Sequence, residues 1–584
     1  MKYVVYEVIS FKERSTHFNK RYISLDFCID KTYWFQKNFK VNLLAFFNSI
    51  NDARRFLHKR FFLTSFLKTN TSILSKSFSF LPEDKFKLLN KKAKQIFKIL
   101  HSRSLLLNEV EKCLQKNSFK ITLPDLLSCL QLLYLHGKLN VVPGVCFGSF
   151  FITAKCNRCF SGIGGITRLK CSKCDDFCAF CKNCAVLGQS SSCTPFFLFS
   201  NNVKAKEEDV FLKFKYLKEN DKIAFLNNDN YSKILKSTNV NLTKLQQRVS
   251  DEIFDFIFSS KSQCLVWAVT GAGKTEIMIP LICFYLSLNL NILWTTPRRD
   301  VVLELAPRLK EFFPYVDLKV LCGGSKDLWL YGKLVISTAI QTLRFHNFFH
   351  LIIVDEVDAF PLDGNKSSEL GIKRAGRNGI KYVFLTATPK ESWKERINKG
   401  FFTTIILPSR YHGLNLPIPS VFVDFFLYKK LENFSPIKTV VNFLDNLKKT
   451  DGQALIFVPR VLDIEKVVNY LKAFLDSTSV DGVYSQDKRR NEKVLAFRQG
   501  KLTILITTTI LERGVTVPRC HVLVFGAQHY IFDKASLIQI AGRVGRNLSY
   551  TKGVVWFLAT QKTEAQVKAI KEIEFLNFLA QKKS

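Results

Sequence analysis

The string Thr270-Gly271-Ala272-Gly273-Lys274-Thr275 follows one apolar run and precedes another, Ile277 to Leu286. Glycines in such a loop let backbone N–H groups close on phosphate oxygens, Lys274 reaches the β- and γ-phosphates, and the Thr275 hydroxyl holds Mg2+. These residues read as an ATP cradle, with Ala268 standing where the fuller G-x-x-x-x-G-K-T pattern has its first glycine. Further along, the apolar Leu351-Ile352-Ile353-Val354 ends in Asp355 and Glu356. At the end of a buried strand Asp355 is placed to bind Mg2+, and Glu356 to orient and polarise the water that attacks the γ-phosphate. Arg543 and Arg546, in Gln539-Ile-Ala-Gly-Arg-Val-Gly-Arg546, share a face or loop edge and suit an arginine finger acting across a cleft, with Gln539 beside the same nucleotide. Thr508, Leu511, Arg513 and Gly514 make a further polar cluster upstream. Gln246 offers a bidentate amide to an adenine edge, and Gln247 equals it on chemistry alone.

A different chemistry is concentrated between Cys156 and Cys193, where eight of the 16 cysteines fall. The spacing is Cys156-x2-Cys159-x11-Cys171-x2-Cys174-x3-Cys178-x2-Cys181-x2-Cys184-x8-Cys193. The two knuckles Cys156/Cys159 and Cys171/Cys174 match a four-cysteine zinc ribbon, whose thiolate site supplies folding energy that so small a segment lacks. The other cysteines leave two arrangements open: a second site, or a nested pairing in which Cys156 and Cys159 are joined by Cys181 and Cys184. The expected zinc ligands are therefore Cys156, Cys159, Cys171, Cys174, Cys181 and Cys184. Lys155, Arg158, Arg168, Lys170, Lys173 and Lys182 surround the knuckles and fit either a phosphate-backbone contact or a solvated surface.

Parallel α/β sheets are the elements that position phosphate loops of this kind. Short apolar runs alternate with amphipathic stretches from Asn241 onward: Cys264 to Val269, Asn291 to Thr295, Leu351 to Val354 and Tyr382 to Leu385. After the proline-containing stretch Leu407 to Pro419 a second set follows: Ala454 to Val458, Ile504 to Thr507, Val522 to Phe525 and Val554 to Leu558, closed by a helix over about Glu564 to Leu579. The fold class is α/β, with two tandem parallel-sheet ATPase domains at 240–405 and 420–584. A helical lead-in and the cysteine module occupy 104–200. Residues 1–103 repeat Phe and Lys without a clean period and carry 20 Lys and Arg against 7 Asp and Glu in the first hundred, so they read as a basic extension of uncertain order.

The 584 residues are 47 % hydrophobic, which excludes wholesale disorder. A net charge of +37 points to a polyanionic partner, nucleic acid before an acidic membrane surface. No apolar run reaches the ~18 residues of a membrane span, and charges rather than a signal core follow Met1, so the expectation is a cytoplasmic protein whose clustered cysteines bind metal rather than pair as disulfides.

The ordered set Leu242-Thr243-x-x-Gln246, the P-loop, Asp355-Glu-Val-Asp358, Thr386-Ala-Thr388, Thr508 to Val515 and Gln539 to Arg546 resembles the superfamily-two helicases and translocases, relatives of the DEAD-box proteins. The wording around these motifs, including Thr296-Pro-Arg298, Asp300 to Arg308, Ala359-Phe-Pro361, Arg410-Tyr-His-Gly413 and Ile510 to Val515, is similar to the ComFA family of late-competence DNA translocases over roughly residues 105 to 580. That resemblance implies a motor on single-stranded DNA, ATP, Mg2+ and Zn2+ as cofactors, and competence and DNA-uptake proteins at the inner membrane as partners. It also implies a peripheral position at the cytoplasmic face, and leaves a homo-oligomer open. The primosomal helicase PriA also has paired cysteines, but they follow its first ATPase domain, whereas here they precede Lys274. The other alternative is a zinc-dependent nucleic-acid-binding ATPase that switches without processive movement.

Overall fold

The structure, a computed structural model, describes residues 2–10, 20–58, 78–148, 153–201, 229–359, 365–475, 479–512, 519–546, 550 and 553–583. Three strands begin the chain: β1 (Tyr3–Ser10), β2 (Lys20–Ser24) and β3 (Phe39–Phe47), antiparallel in the order β2-β1-β3. The helix Phe27–Phe35 starts where the Asp26 carboxylate accepts from the Cys28 N–H, an N-cap that satisfies an otherwise orphan donor. Its Asp30 is fully buried and accepts from Tyr6 Oη, Ser24 Oγ and Gln131 Nε2.

This small sheet shares one core with the helices Glu83–Leu100, Leu107–Lys116 and Leu123–Leu135: Tyr3, Val5, Ile29, Leu89, Ile96, Leu100, Leu130, Phe197 and Phe199 belong to a single apolar cluster. The described part of residues 1–103 is thus a folded half of a domain, and no boundary separates it from residue 104. Removing it would strip one side of a core in which each buried large aliphatic is worth about 1.5–3 kcal/mol.

β4 (Ser104–Leu106), β5 (Leu139–Pro143) and β10 (Pro195–Phe199) form a second antiparallel sheet, ordered β4-β10-β5. Between β5 and β10 the chain makes two excursions. β6 (Val145–Phe147) pairs with β7 (Ala154–Cys156), and β8 (Ile166–Cys171) with β9 (Asp176–Cys181).

The first motor sheet contains β11 (Gln263–Ala268), β12 (Ile292–Thr296), β13 (Leu318–Leu321), β14 (Leu334–Thr338), β15 (Phe349–Asp355), β16 (Gly376–Thr386) and β17 (Thr403–Leu407). It is parallel, in the order β13-β14-β12-β15-β16-β11-β17. The second contains β18 (Ser420–Val423), β19 (Gln453–Phe457), β20 (Val480–Val483), β21 (Ile504–Thr507), β22 (Cys520–Phe525) and β23 (Val555–Ala559), parallel in the order β18-β23-β22-β19-β21-β20. All eight expected runs are strands. The strands without a sequence expectation include the edges β13, β18 and β20, which carry Lys319, Ser420 and Asp481 because an edge strand is half-solvated.

The closing helix Glu564–Lys583 ties the sheets together. Asn577 exchanges two hydrogen bonds with the Leu416 backbone, at 2.8 and 3.0 Å, and Glu572 accepts from both Lys394 and Lys534. The amino-terminal half docks on the first motor domain through buried cations. Arg103 donates to Leu330 O at 2.8 Å with its guanidinium over Tyr331 and Phe345, and Arg344 donates to Glu109 at 3.0 Å. Arg374 bridges Asn157 O and Leu343 O.

Candidate nucleotide cleft and cysteine clusters

β11 ends at the fully buried Ala268, and the chain turns through Gly271 and Gly273, both at φ +81°. That left-handed conformation favours glycine. At Gly273 a side chain would also collide with Gln246 Nε2. Across the sheet β15 delivers Asp355, whose Oδ1 accepts from the Glu356 N–H at 2.9 Å, and Glu356 itself sits at φ +54°. Strain of this kind in a non-glycine residue collects at functional sites. Lys274, Thr275, Asp355 and Glu356 line one side of a cleft of about 550 Å³, and Gln539, Arg543 and Arg546 line the other.

Several expected residues have more specific jobs than the sequence assigned. Gln246 is 3 % exposed and committed at both ends: its Oε1 accepts from the Thr243 N–H at 2.9 Å in a capping box at the start of the helix Lys244–Phe258, and its Nε2 donates to Ala272 O at 2.9 Å. It fastens that helix to the phosphate loop and also lines the cleft. Gln247 donates along its own helix to Asp251. Gln539 Nε2 donates to Thr388 Oγ1, and Thr386 and Thr388 both donate to Asp358, at 2.6 and 2.8 Å. The acidic strand end of one domain is thereby wired to the other domain through the Thr388 hydroxyl.

Arg543 is buried and Arg546 half-buried. Arg543 donates through Nε and Nη2 to Glu512 O, and Arg546 through Nε to Gly542 O at 2.9 Å. Burial, with Arg546 adding repulsion, lowers Arg543 to about 9, while Glu304 and Glu356 oppose the shift, so it remains a cation at neutral pH. Arg410 donates to Val544 O at 2.8 Å and Gly545 O at 2.6 Å, and the next residue's N–H reaches Gly271 O at 3.1 Å. Arg410-Tyr411 therefore touches the phosphate loop and the arginine turn together. A side chain at Gly542 would collide with Thr270 Oγ1, so the two domains meet at the loop itself. Arg513 and Gly514 lie outside the described residues.

The eight cysteines separate into two buried foursomes, Cys156, Cys159, Cys181 and Cys184, and Cys171, Cys174, Cys178 and Cys193, with sulfurs within 4.8 Å of one another in each. The nested pairing is the one formed. The single ribbon of Cys156, Cys159, Cys171 and Cys174 is not, because the β8–β9 hairpin carries Cys171 to its tip opposite Asp176 while Cys181 sits at its base opposite Ile166. Five residues of strand part those ends by about 17 Å. Cys178 and Cys193 complete the tip set, outside the six expected ligands and present in the sequence reading only through the alternative of a second site. Of the basic residues around the knuckles, Lys155, Arg168, Lys170, Lys173 and Lys182 are exposed, whereas Arg158 is fully buried and donates to Glu109 at 2.5 Å.

Residues 243–397 match the DEAD/DEAH box helicase family and residues 435–548 the helicase conserved C-terminal domain. The competence protein ComFA of Bacillus subtilis is 36 % identical over 404 residues, 69 % of this chain and 81 % of that protein. ComFA of Streptococcus pneumoniae is 37 % identical over 344 residues, 58 % of this chain and 77 % of its own length. A solved structure of S. cerevisiae Dbp5 bound to RNA and ADP BeF3 is 17 % identical, covering 60 % of this chain and 91 % of that one, with a TM-score of 0.46. With a helicase-type, nucleic-acid-dependent ATPase in two α/β domains behind a cysteine module, the chain belongs to the ComFA family of competence proteins.

Proposed function

We propose that the protein is an ATP-driven motor on single-stranded DNA that draws transforming DNA inward during natural competence. The observation that carries this reading is the cleft in which Lys274, Asp355 and Glu356 of one domain face Arg543 and Arg546 of the other. The backbone N–H groups of Gly271 to Thr275 and the Lys274 ammonium hold the β- and γ-phosphates of ATP. Mg2+, held by Thr275 and Asp355, supplies charge neutralisation to those phosphates when bound. Glu356 orients the attacking water and accepts its proton, and Arg543 and Arg546 neutralise the charge that develops on the transferred phosphoryl group. Both arginines come from the second domain, so hydrolysis competence requires the closed arrangement, and product release relaxes it. If each domain holds the strand backbone in turn, the cycle advances the protein along it.

Two further features support the reading. The +37 charge provides an ionic grip that salt weakens. The foursome Cys156, Cys159, Cys181 and Cys184 suits a structural zinc: a tetrahedron with Zn–S of about 2.3 Å has S···S edges of about 3.8 Å, and the sulfurs of Cys156 and Cys184 lie 3.8 Å apart and those of Cys159 and Cys181 3.4 Å apart. The relatives are competence proteins, which supports partners in DNA uptake. No described helix is long and apolar enough to cross a membrane.

The test is displacement of streptavidin from biotin-ended single strands. The motor reading expects ATP-dependent displacement from one end and none by Glu356→Gln. Nucleic-acid-stimulated hydrolysis without displacement from either end would make the protein a switch instead.

A further inference from the structure

Cys178 and Cys181 lie three apart on β9, an odd spacing that points them to opposite faces of the hairpin. Cys181 joins the set at the hairpin's base, so Cys178 cannot. Cys171 pairs across the ladder with Asp176, which makes Cys178 its diagonal neighbour on the same face. Cys174, in the turn, brings its sulfur to 3.1 Å from that of Cys178, and Cys193, from the segment entering β10, brings its own to 3.7 Å from that of Cys171. All four are between 1 % and 8 % exposed. Apart from one another they pack against a single partly buried ring, Phe180, which is too little apolar contact to hold a hairpin tip closed.

The surroundings say what the tip is fastened to. Tyr3 Oη donates to Cys193 O at 3.0 Å, and the preceding carbonyl, Ser192 O, accepts from the Asn51 N–H at 3.2 Å and from Ser49 Oγ at 3.3 Å. Ser192 N–H donates in turn to Ala179 O on the hairpin. The residue that would complete the site is thus held by Tyr3 of β1, and its neighbour Ser192 by the segment that follows β3.

We propose that Cys171, Cys174, Cys178 and Cys193 form a second structural zinc site, independent of the first, that fastens the β8–β9 hairpin to the amino-terminal sheet. It extends the zinc reading of the cysteine module and can fail while that reading stands. Four thiolates in a closed tetrahedron suit Zn2+, and the site has no open position for catalysis. Because the hairpin exposes Arg168, Lys170 and Lys173, this metal would also hold a basic finger at a fixed angle to the rest of the molecule.

The test is the metal content of the full chain purified under reducing conditions. About two zinc ions per chain are expected. Cys178→Ser and Cys193→Ser should each lose one and raise amide exchange in β1 and β8–β9, while Cys156→Ser loses the other and leaves β1 protected. Should the serine variants fail to fold, cobalt titration of the unaltered chain replaces them: thiolate-to-cobalt charge-transfer absorption should saturate at about two equivalents. Saturation at one equivalent, full zinc retention by folded Cys178→Ser, or a chain about 2 Da lighter from a disulfide among these four would overturn the site.

Discussion

The nucleotide cleft is assembled from two separately folded sheets, with Lys274, Asp355 and Glu356 on one and Arg543 and Arg546 on the other, around an open volume of about 550 Å³. The cysteine module draws its thiols from one continuous stretch and buries every one of them. In the cleft, glycines at φ +81° and a strained Glu356 keep space for a ligand that enters and leaves. In the module the thiols are enclosed, an arrangement that suits a structural ion. Substitutions in the cleft should therefore remove turnover and spare the fold, and substitutions in or around the module should do the reverse.

The sharpest test of that contrast is Lys274→Ala. Turnover should fall by ~10³-fold or more, with the melting temperature and single-stranded DNA affinity nearly unchanged, because the phosphate cradle and the strand grip are different surfaces. Loss of DNA binding in folded Lys274→Ala protein would blur the two regions into one. On the module's side, deleting residues 1–58 should be the most damaging change. It removes Tyr3, Val5 and Ile29 from a core shared with Leu130 and Phe197, so the soluble yield should collapse and the remainder should be cleaved rapidly by protease. A soluble, zinc-replete truncation would show that the core divides after all.

Arg410→Ala should have an intermediate effect. It leaves Val544 O without its buried donor and Gly545 O with only His412, at a cost of about 1–3 kcal/mol to the closed arrangement, or a ~10–100-fold drop in stimulated hydrolysis with ATP binding retained. The smallest effect on turnover belongs to Asp30→Asn. Burial raises the Asp30 carboxyl from 3.8 to about 7, against the hydrogen bonds from Ser24, Tyr6 and Gln131. Between those values the folded state holds a proton that the unfolded chain has released, so stability falls as pH rises through that window. Melting temperatures from pH 4 to 8 should decline less in Asp30→Asn than in the unaltered chain, with ATPase rates alike.

The same contrast explains which parts were legible in the sequence. The phosphate loop and the Asp355-Glu356 strand end are local strings whose chemistry needs only their own neighbours, and the strands that carry them are buried on both faces and read as apolar runs. β1 is buried on both faces as well: Tyr3, Val4, Val5, Tyr6 and Val8 are all under 9 % exposed, which erases the alternation that marks a half-buried strand. Its partners lie up to 190 residues away, as in the bond from Tyr3 to Cys193. The nested cysteine pairing depended on the register of one hairpin, and the links from Thr388 to Gln539 and from Arg410 to Gly545 on how two domains meet. None of these is written in local spacing. Gln246 was found by its motif, whereas its bonds to the helix start and to the loop carbonyl were not, because they depend on where the helix Lys244–Phe258 packs against the loop.

The central claim is that hydrolysis in this cleft is driven by a nucleic-acid strand gripped across both domains. It is tested most directly by the steady-state ATPase rate of the full chain without nucleic acid and with single-stranded DNA, duplex DNA or RNA, measured alongside Arg543→Ala. The account predicts the strongest stimulation with single-stranded DNA, weakened by salt, and a ~10³-fold or greater loss in folded Arg543→Ala protein. An equal rate with and without every nucleic acid, or full stimulation surviving in Arg543→Ala, would contradict it.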